Sequence, residues 1–405
     1  MTTPADPLEL LRTRTSEKWR AHPDDVLPMF VAEMDYPLAP AIAAALHAAV
    51  DRSDTGYVNP RDPGAREAFA AFARDAWGWS PDPGLMGITT DVSVVIVEAL
   101  RRLAAPSDGV VITPPVYPPF FDLIPEAGAR VVEVPLRDDG AGYALDLAGI
   151  DRALAAGARG VLLCNPHNPL GLVHTREELA ELSRIVARHD GFVVSDEIHA
   201  PLTHPGTVFT PYLTVSDAAR AHGIAAESGS KAFNLAGLKA AFFVTASERM
   251  SRLVRELPEE VTFRTGHFGL LATRTGFADA RDWLAETLAA IVANVELLEA
   301  QLAEKLPEAR LRRPSASYLA WIDLTALGWG DDPASVLLER AKLALSNGPA
   351  FGREGRGHVR LNLACAPALV VEAVDRMAAL ARSWGRSAAL PACRERMRCR
   401  WSLME

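Results

Sequence analysis

Short, nearly continuous apolar runs recur through the middle of the chain. Val110-Val111-Ile112, Val131-Val132-Glu133-Val134, Gly160-Val161-Leu162-Leu163 and Phe192-Val193-Val194-Ser195 read as strands covered on both faces, since a strand with one wet face would alternate apolar and polar positions. Between the last two, Thr175 caps a helix and Glu178 completes a capping box. Leu179, Leu182, Ile185 and Val186 then fall on one helical face. Strand, helix, strand in that order predicts a right-handed parallel crossover, and two more strands are expected within residues 225–246. From about residue 281 long helical patterns dominate, Trp283 through Leu306, with shorter strands expected at Tyr318–Ile322 and Val359–Leu361. The pattern therefore predicts an α/β protein: an N-terminal arm that forms part of a small domain over 1–45, a large domain over 46–280, a small C-terminal domain over 281–386, and a basic tail over 387–405. In that tail Arg394, Arg396, Arg398 and Arg400 alternate with other residues.

Composition narrows the function classes. The 405 residues are 49% hydrophobic and 23% charged, too much apolar material for one core, which stops growing near about 250–300 residues. The net charge of -9 argues against nucleic acid as a partner, because phosphate backbones need a basic face. The four cysteines, Cys164, Cys365, Cys393 and Cys399, form no pair with metal-site spacing and no disulfide framework. The first residues lack the basic and apolar regions of a secretion signal. No apolar run approaches the roughly 20 residues that span a bilayer. A cytoplasmic protein without a membrane partner is expected.

The chemistry concentrates in three loops. Ser228-Gly229-Ser230-Lys231-Ala232-Phe233-Asn234 sets a lysine in a mostly apolar loop, where a charged ammonium is costly unless paired or chemically committed. The Ser228 and Ser230 hydroxyls, with Lys239 further on, suit a phosphate. Asp196 ends a buried strand, at the edge where open α/β sheets bind ligands. There its carboxylate can pair with a protonated pyridine nitrogen. Asn165-Pro166-His167-Asn168-Pro169-Leu170-Gly171 forms a fixed turn after another strand and offers the Asn168 amide.

The order NPxNPxG, then DE, then SxSK resembles the fold-type I pyridoxal 5′-phosphate enzymes of the aminotransferase class I/II superfamily, over about residues 25–380. Phe30-Val31-Ala32-Glu33-Met34-Asp35-Tyr36-Pro37, Pro114-Pro115-Val116-Tyr117-Pro118-Pro119-Phe120, Asp196-Glu197-Ile198-His199 and Arg360-Leu361-Asn362-Leu363-Ala364-Cys365 look like the MalY/PatB branch of carbon–sulfur β-lyases. That resemblance implies a large domain with a mostly parallel seven-stranded sheet sandwiched by helices, plus a smaller α/β C-terminal domain. It implies pyridoxal 5′-phosphate as cofactor, bound covalently to Lys231. Asp196 matches the partner of the pyridine nitrogen, Asn168 the residue at the phenolic oxygen, and Tyr117 the aromatic stacked on the ring. Ser228 and Lys239 match phosphate ligands, Ser230 is expected beside them, and the backbone amides of Val92 and Ser93 can bind the phosphate at a helix N-terminus. Arg360 matches the clamp for the substrate carboxylate, a task that suits a planar guanidinium, and Asp35 and Tyr36 are expected beside the substrate. Tyr57 matches a tyrosine that reaches the neighbouring subunit's phosphate, which implies a homodimer with shared sites.

The sequence departs from the branch in two places. Thr90-Asp91-Val92-Ser93 stands where Pro-Gly-Val-Val is common, and Asp91 is expected to cap the following helix. His199 stands where many aminotransferases carry a tyrosine, so it either tunes the cofactor or supports the site from behind. The implied reaction is elimination of a thiol from cystathionine or a related cysteine S-conjugate, with Lys231 as the base. An aminotransferase, a lyase for an unusual thioether, and a regulatory protein on the same fold remain as alternatives.

Overall fold

The computed structural model describes residues 4–140 and 142–387. Residues 388–405, with most of the expected basic tail and with Cys393 and Cys399, lie outside them.

Seven strands form the central sheet: β1 (Gly87–Thr89), β2 (Gly109–Ile112), β3 (Arg130–Glu133), β4 (Ala158–Cys164), β5 (Phe192–Asp196), β6 (Gly223–Glu227) and β7 (Ala241–Val244). Their order is β1-β7-β6-β5-β4-β2-β3. The run from β6 to β3 pairs in parallel, and β7 is antiparallel to both its neighbours. Apolar residues run almost without a break through the inner strands because the sheet has a core on each side. Val110, Ile112, Leu162, Val194 and Ile224 pack toward one helix layer, which includes α2 (Val92–Leu103). Val111, Val161, Leu163, Val193 and Ala225 pack toward the other, with Phe69 of α1 (Gly64–Trp77) and Leu179 and Leu182 of α3 (Arg176–Arg188).

The cap of α3 is the expected box with added partners. The Glu178 N–H donates to Thr175 Oγ1 at 3.1 Å, and the Thr175 N–H in turn faces the Glu178 carboxylate. That carboxylate also accepts the Leu145 N–H at 2.6 Å and meets His174 Nδ1 at 3.1 Å, which ties the neighbouring loop to the helix.

A second body has its own core. Four strands, β8 (Arg310–Leu311), β9 (Leu319–Asp323), β10 (Ser346–Asn347) and β11 (His358–Asn362), pair antiparallel in the order β8-β9-β11-β10. Ile322, Leu361 and Val359 pack there against Leu298 of α5 (Arg281–Lys305) and Met377 of α6 (Pro367–Ser387). The N-terminal segment joins this body: Leu27–Pro28 pairs in parallel with Leu343–Ala344, and Leu27 and Met29 enter the same core. Residues 30–36 then run back along the large sheet's side of the molecule, where Met34 and Tyr36 join the main core.

The loop after β6 is set by packing. Phe233 is fully buried among Phe277, Trp283 and α4 (His267–Asp279). The helix can come this close only because Gly276 has no side chain, since a Cβ there would lie 2.6 Å from the Phe233 ring. Replacing Phe233 by Ala should cost about 3–5 kcal/mol, the usual range for emptying an aromatic site. Urea denaturation measures the loss, and an effect under about 1 kcal/mol, below the range for core truncations, would remove Phe233 as the anchor of this loop.

Candidate active site

A cavity of about 630 Å³ opens at the carboxyl edges of β4, β5 and β6. The large sheet supplies its floor: Asp196 ends β5, Asn168 lies in the turn after β4, and Ser230 and Lys231 lie in the loop after β6. The N-terminus of α2 brings Asp91, Val92 and Ser93 to one end, and Tyr117 lines the wall. The second body closes the other side with Arg360 of β11 and Ser346 of β10, and the N-terminal segment adds residues 30–32. Both bodies are therefore needed to enclose the space.

Burial dominates the electrostatics. Asp196 is almost fully buried and accepts the Ile198 N–H at 3.2 Å. Burial raises its carboxyl to about 7, with the Ile198 N–H and the Lys231 ammonium pulling the other way. Lys231 Nζ donates to the Ala32 carbonyl at 3.0 Å. Burial, and then nearby Arg360, lower this lysine to about 8, with Asp196 opposing both. His199, buried beside the same cations, falls to about 3 and so is neutral at physiological pH. Its Nδ1 pairs with Ser317 Oγ at 3.0 Å, and its ring meets Tyr318 edge-on. Burial pushes the Tyr117 hydroxyl up to about 12, with Asp196 adding to the effect.

Arg360 is a buried guanidinium with neutral partners. It donates to Asn168 Oδ1, to the Phe30 carbonyl and to Ser346 Oγ, each at 3.0 Å, and lies over the Phe351 ring at 5.1 Å. Its Nε has no partner. Among the described residues no carboxylate forms an ion pair with it. A buried cation in that state is poised for an anion supplied from outside.

At the far end Asp91 caps α2 by accepting the Val94 N–H at 3.1 Å, as the sequence predicts. Lys239 Nζ stands 3.6 Å from the Asp91 carboxylate, which offsets an acid that would otherwise repel a phosphate. The Val92 and Ser93 N–H groups are the first of the helix and have no preceding turn to bond, so they are free to meet an anion.

The structure brings Lys231, Asp196, Asn168, Tyr117, His199, Ser230, Lys239, Val92, Ser93 and Arg360 to one cavity. Ser228 stays behind the wall. Its hydroxyl donates to the Ala240 carbonyl at 2.7 Å and accepts the Ser230 N–H at 3.0 Å, so it shapes the lysine loop. Asp35 and Tyr36 do not line the cavity. Asp35 is buried in an ion pair with Lys18 at 2.7 Å, and its N–H donates to the Ala364 carbonyl at 2.8 Å, which fastens the N-terminal segment there. Tyr36 is buried in the main core. Substrate contact is thus corrected for both: the Lys18 ammonium already occupies the one, and apolar packing encloses the other. Tyr57 is 89% exposed and is not part of this chain's own cavity. Three contributors escaped the sequence: the Ala32 carbonyl, Ser346, and Tyr318, whose hydroxyl also donates to Ala32 at 3.0 Å.

The fold and this cavity define the class of fold-type I pyridoxal-phosphate enzymes. The family model for aminotransferase class I and II matches residues 24–377, and the chain belongs to that family. A Mycobacterium leprae protein provisionally named cystathionine beta-lyase is 42% identical over 392 residues, covering 91% of this chain and 96% of that protein. The cystathionine beta-lyase of Corynebacterium glutamicum is 32% identical over 373 residues, covering 92% and 98%. The solved structure of a Corynebacterium diphtheriae protein, provisionally a PLP-dependent beta-cystathionase, superposes with a TM-score of 0.89 at 32% identity, covering 94% of this chain and 99% of that one. Pyridoxal 5′-phosphate is accordingly the cofactor, and the residues present fit it: a buried acid, a lysine with a depressed proton affinity, and a helix N-terminus lie along one cavity.

The shift of Lys231 has a direct chemical consequence. A lysine at about 8 is roughly half free amine at pH 8, whereas an ordinary lysine near 10.4 is almost wholly protonated. In protein stripped of cofactor, acylation of Lys231 should rise through about pH 8 and then level off. Peptide mapping across pH reads the profile. Labelling of Lys231 that keeps rising to pH 10 would contradict the shift.

Proposed function

We propose that this chain is a pyridoxal-phosphate-dependent carbon–sulfur β-lyase. It takes an amino acid whose β-carbon bears a thioether, cystathionine or a related cysteine S-conjugate, and with one water gives thiol, pyruvate and ammonia. The observation that carries this reading is the buried Arg360 guanidinium, without a carboxylate partner, in the same closed cavity as Lys231. That pair suits a ligand with a carboxylate and an amino group on one carbon. The names of the relatives point to carbon–sulfur elimination as the reaction.

The cofactor, when bound, supplies an electron sink for negative charge developing at the substrate α-carbon. Arg360 grips the α-carboxylate and orients the α-hydrogen. Lys231 holds the cofactor and, once released, takes that hydrogen as a proton on Nζ; a lysine of lowered proton affinity is a suitable base near neutral pH. Asp196 keeps a proton on the ring nitrogen. Asn168, whose Oδ1 serves Arg360, has its amide N–H left to donate to the phenolic oxygen. Tyr117 covers the ring face. Val92, Ser93, Ser230 and Lys239 hold the phosphate. His199, neutral and fixed by Ser317, supports this arrangement without adding charge. The protein works as a homodimer in which Tyr57 completes the partner's phosphate site, and the cytoplasm is its setting.

The deciding experiment is a substrate panel of cystathionine, cystine and S-alkyl cysteines with no keto acid added. Thiol and pyruvate should appear in equal amounts; a strict requirement for a keto acid would make the protein an aminotransferase instead. Borohydride reduction of the holoenzyme should fix the cofactor on Lys231, and a peptide map that finds it on another lysine would refute the site.

Arg360→Lys should weaken amino-acid binding and spare cofactor content, because lysine keeps the charge but loses the planar fork. A charge-assisted hydrogen bond of this kind is worth about 1.5–3 kcal/mol, or roughly 10- to 150-fold in KM. Cofactor loss with unchanged substrate affinity would reassign the residue.

Shared sites are tested by complementation. Tyr57→Phe and Lys231→Ala homodimers should each be impaired, whereas subunit exchange creates hybrids with one intact site. Activity should rise on mixing. Verified hybrids without recovery would confine Tyr57 to its own subunit.

A further inference from the structure

Two carboxyls with no place in the chemistry above lie directly behind Asp196. Glu197 follows it in sequence, and Glu227 ends the adjacent strand β6. The register pairs Asp196 with Ala226, and the Glu197 N–H donates to the Ala226 carbonyl at 3.0 Å, so the two glutamates are neighbours across the ladder. Both are fully buried.

Their surroundings are short of donors. Glu197 Oε1 accepts the Ser195 hydroxyl at 2.8 Å and the Tyr212 N–H at 2.9 Å. Glu197 Oε2 and both Glu227 oxygens have no hydrogen-bond partner, and neither does Asn165 Oδ1. The Asn165 amide lies within hydrogen-bonding reach of Glu197, and its Nδ2 also donates to the Thr210 carbonyl at 3.2 Å. Donors are therefore scarcest at Glu227, where neither oxygen has one. Among the described residues neither glutamate forms an ion pair. The other groups facing them are Asp196, a further acid, the Tyr212 phenol, itself bonded to His222 at 2.8 Å, and the Phe242 backbone of β7. Lys231 acts on Asp196.

We propose that Glu197 and Glu227 are neutral carboxylic acids whose protons serve this donor-poor cluster, and that they act as positioning residues by leaving Asp196 the single anion of the three. An ionised carboxylate only accepts, whereas a protonated one donates; their protons supply donors that the cluster lacks. Burying an unpaired anion is far costlier than burying the acid. Burial, and then the neighbouring carboxylates, raise the proton affinity of Glu227; burial does the same for Glu197. Ionised, either glutamate would drive a proton onto Asp196 and remove its grip on the ring nitrogen. The proposal rests on the reading of Asp196 given above.

Infrared difference spectroscopy of the holoenzyme at pH 7 tests it. The wild type should show the carbonyl stretch of protonated carboxylic acid. Glu227→Gln and Glu197→Gln should each remove part of that band, and Asp196→Asn should leave it. Absence of the band, or its indifference to both glutamate variants, overturns the proposal. So does a wild-type protein whose stability requires sodium or potassium ions, for the acceptors would then hold a cation.

Linkage gives a second readout that a purely structural role would not move. Acids whose folded proton affinity exceeds the unfolded one stabilise below the unfolded value and lose that contribution as pH rises through the folded one. Wild-type stability should therefore decline toward alkaline pH, and Glu227→Gln should shed about one proton per chain from that dependence. Its dissociation constant for pyridoxal phosphate should also rise less between pH 7 and pH 9, by about threefold or more on linkage grounds. Equal pH dependences in the two proteins would refute the positioning role. Should Glu227→Gln not fold, the wild-type band decides alone: it must persist until the protein unfolds in alkali. If Asp196→Asn binds the cofactor as tightly as wild type while the band remains, the reading of Asp196 fails and the neutral pair stands.

Discussion

Lys231, Arg360 and Asp196 share one desolvated space, and almost everything else in the site follows from keeping two cations and one acid together away from water. Neither cation can lean on a private counter-ion. Arg360 is held by three neutral oxygens and Lys231 by a backbone carbonyl, so neutral dipoles do the work that an ion pair would do elsewhere. A carboxylate beside Arg360 would have been more comfortable for the free protein, but it would have filled the position that the proposed amino-acid substrate needs. The exposed pairs on the surface, by comparison, are worth little.

This constraint explains why two bodies meet at the cavity. The carboxyl edge of a parallel sheet gathers loop ends and helix N-termini on one side only, which suits the acid, the lysine and the phosphate-binding end. It cannot by itself place a guanidinium opposite them. The antiparallel sheet of the second body does so through β11, and the N-terminal segment, paired to that body at Leu27–Pro28, carries the Ala32 and Phe30 carbonyls across the gap. Asp35 and Lys18 then pin the segment at its far end.

Much of this was readable from the letters, for a physical reason. Lys231, Asp196 and Asn168 each sit at the end of a buried strand or in the loop that follows it, and both the strand and the loop have local signatures. Asp91 as a cap is equally local. What escaped was carried by backbone or by distance: the Ala32 carbonyl has no letter of its own, and Ser346 and Tyr318 matter only because β10 and β9 stand near residues 30–32. Asp35 and Tyr36 were misplaced for a related reason. They belong to the stretch that does reach the cavity, but its backbone touches the site while these two side chains turn away from it. Glu178 shows the same limit on a smaller scale: its box with Thr175 is local, but the Leu145 N–H that also bonds it lies 33 residues away.

The bonds that close the cavity also join the most distant parts of the chain. Lys231 meets Ala32 across 199 residues, Arg360 meets Asn168 across 192, and Arg360 meets Phe30 across 330. On the ribosome, the large sheet and its lysine loop emerge long before β11 does. A nascent chain can therefore build the floor of the cavity while still lacking the guanidinium that closes it. The cavity is completed only once β11 has emerged, so the order in which residues appear sets the order in which the walls of the site are assembled.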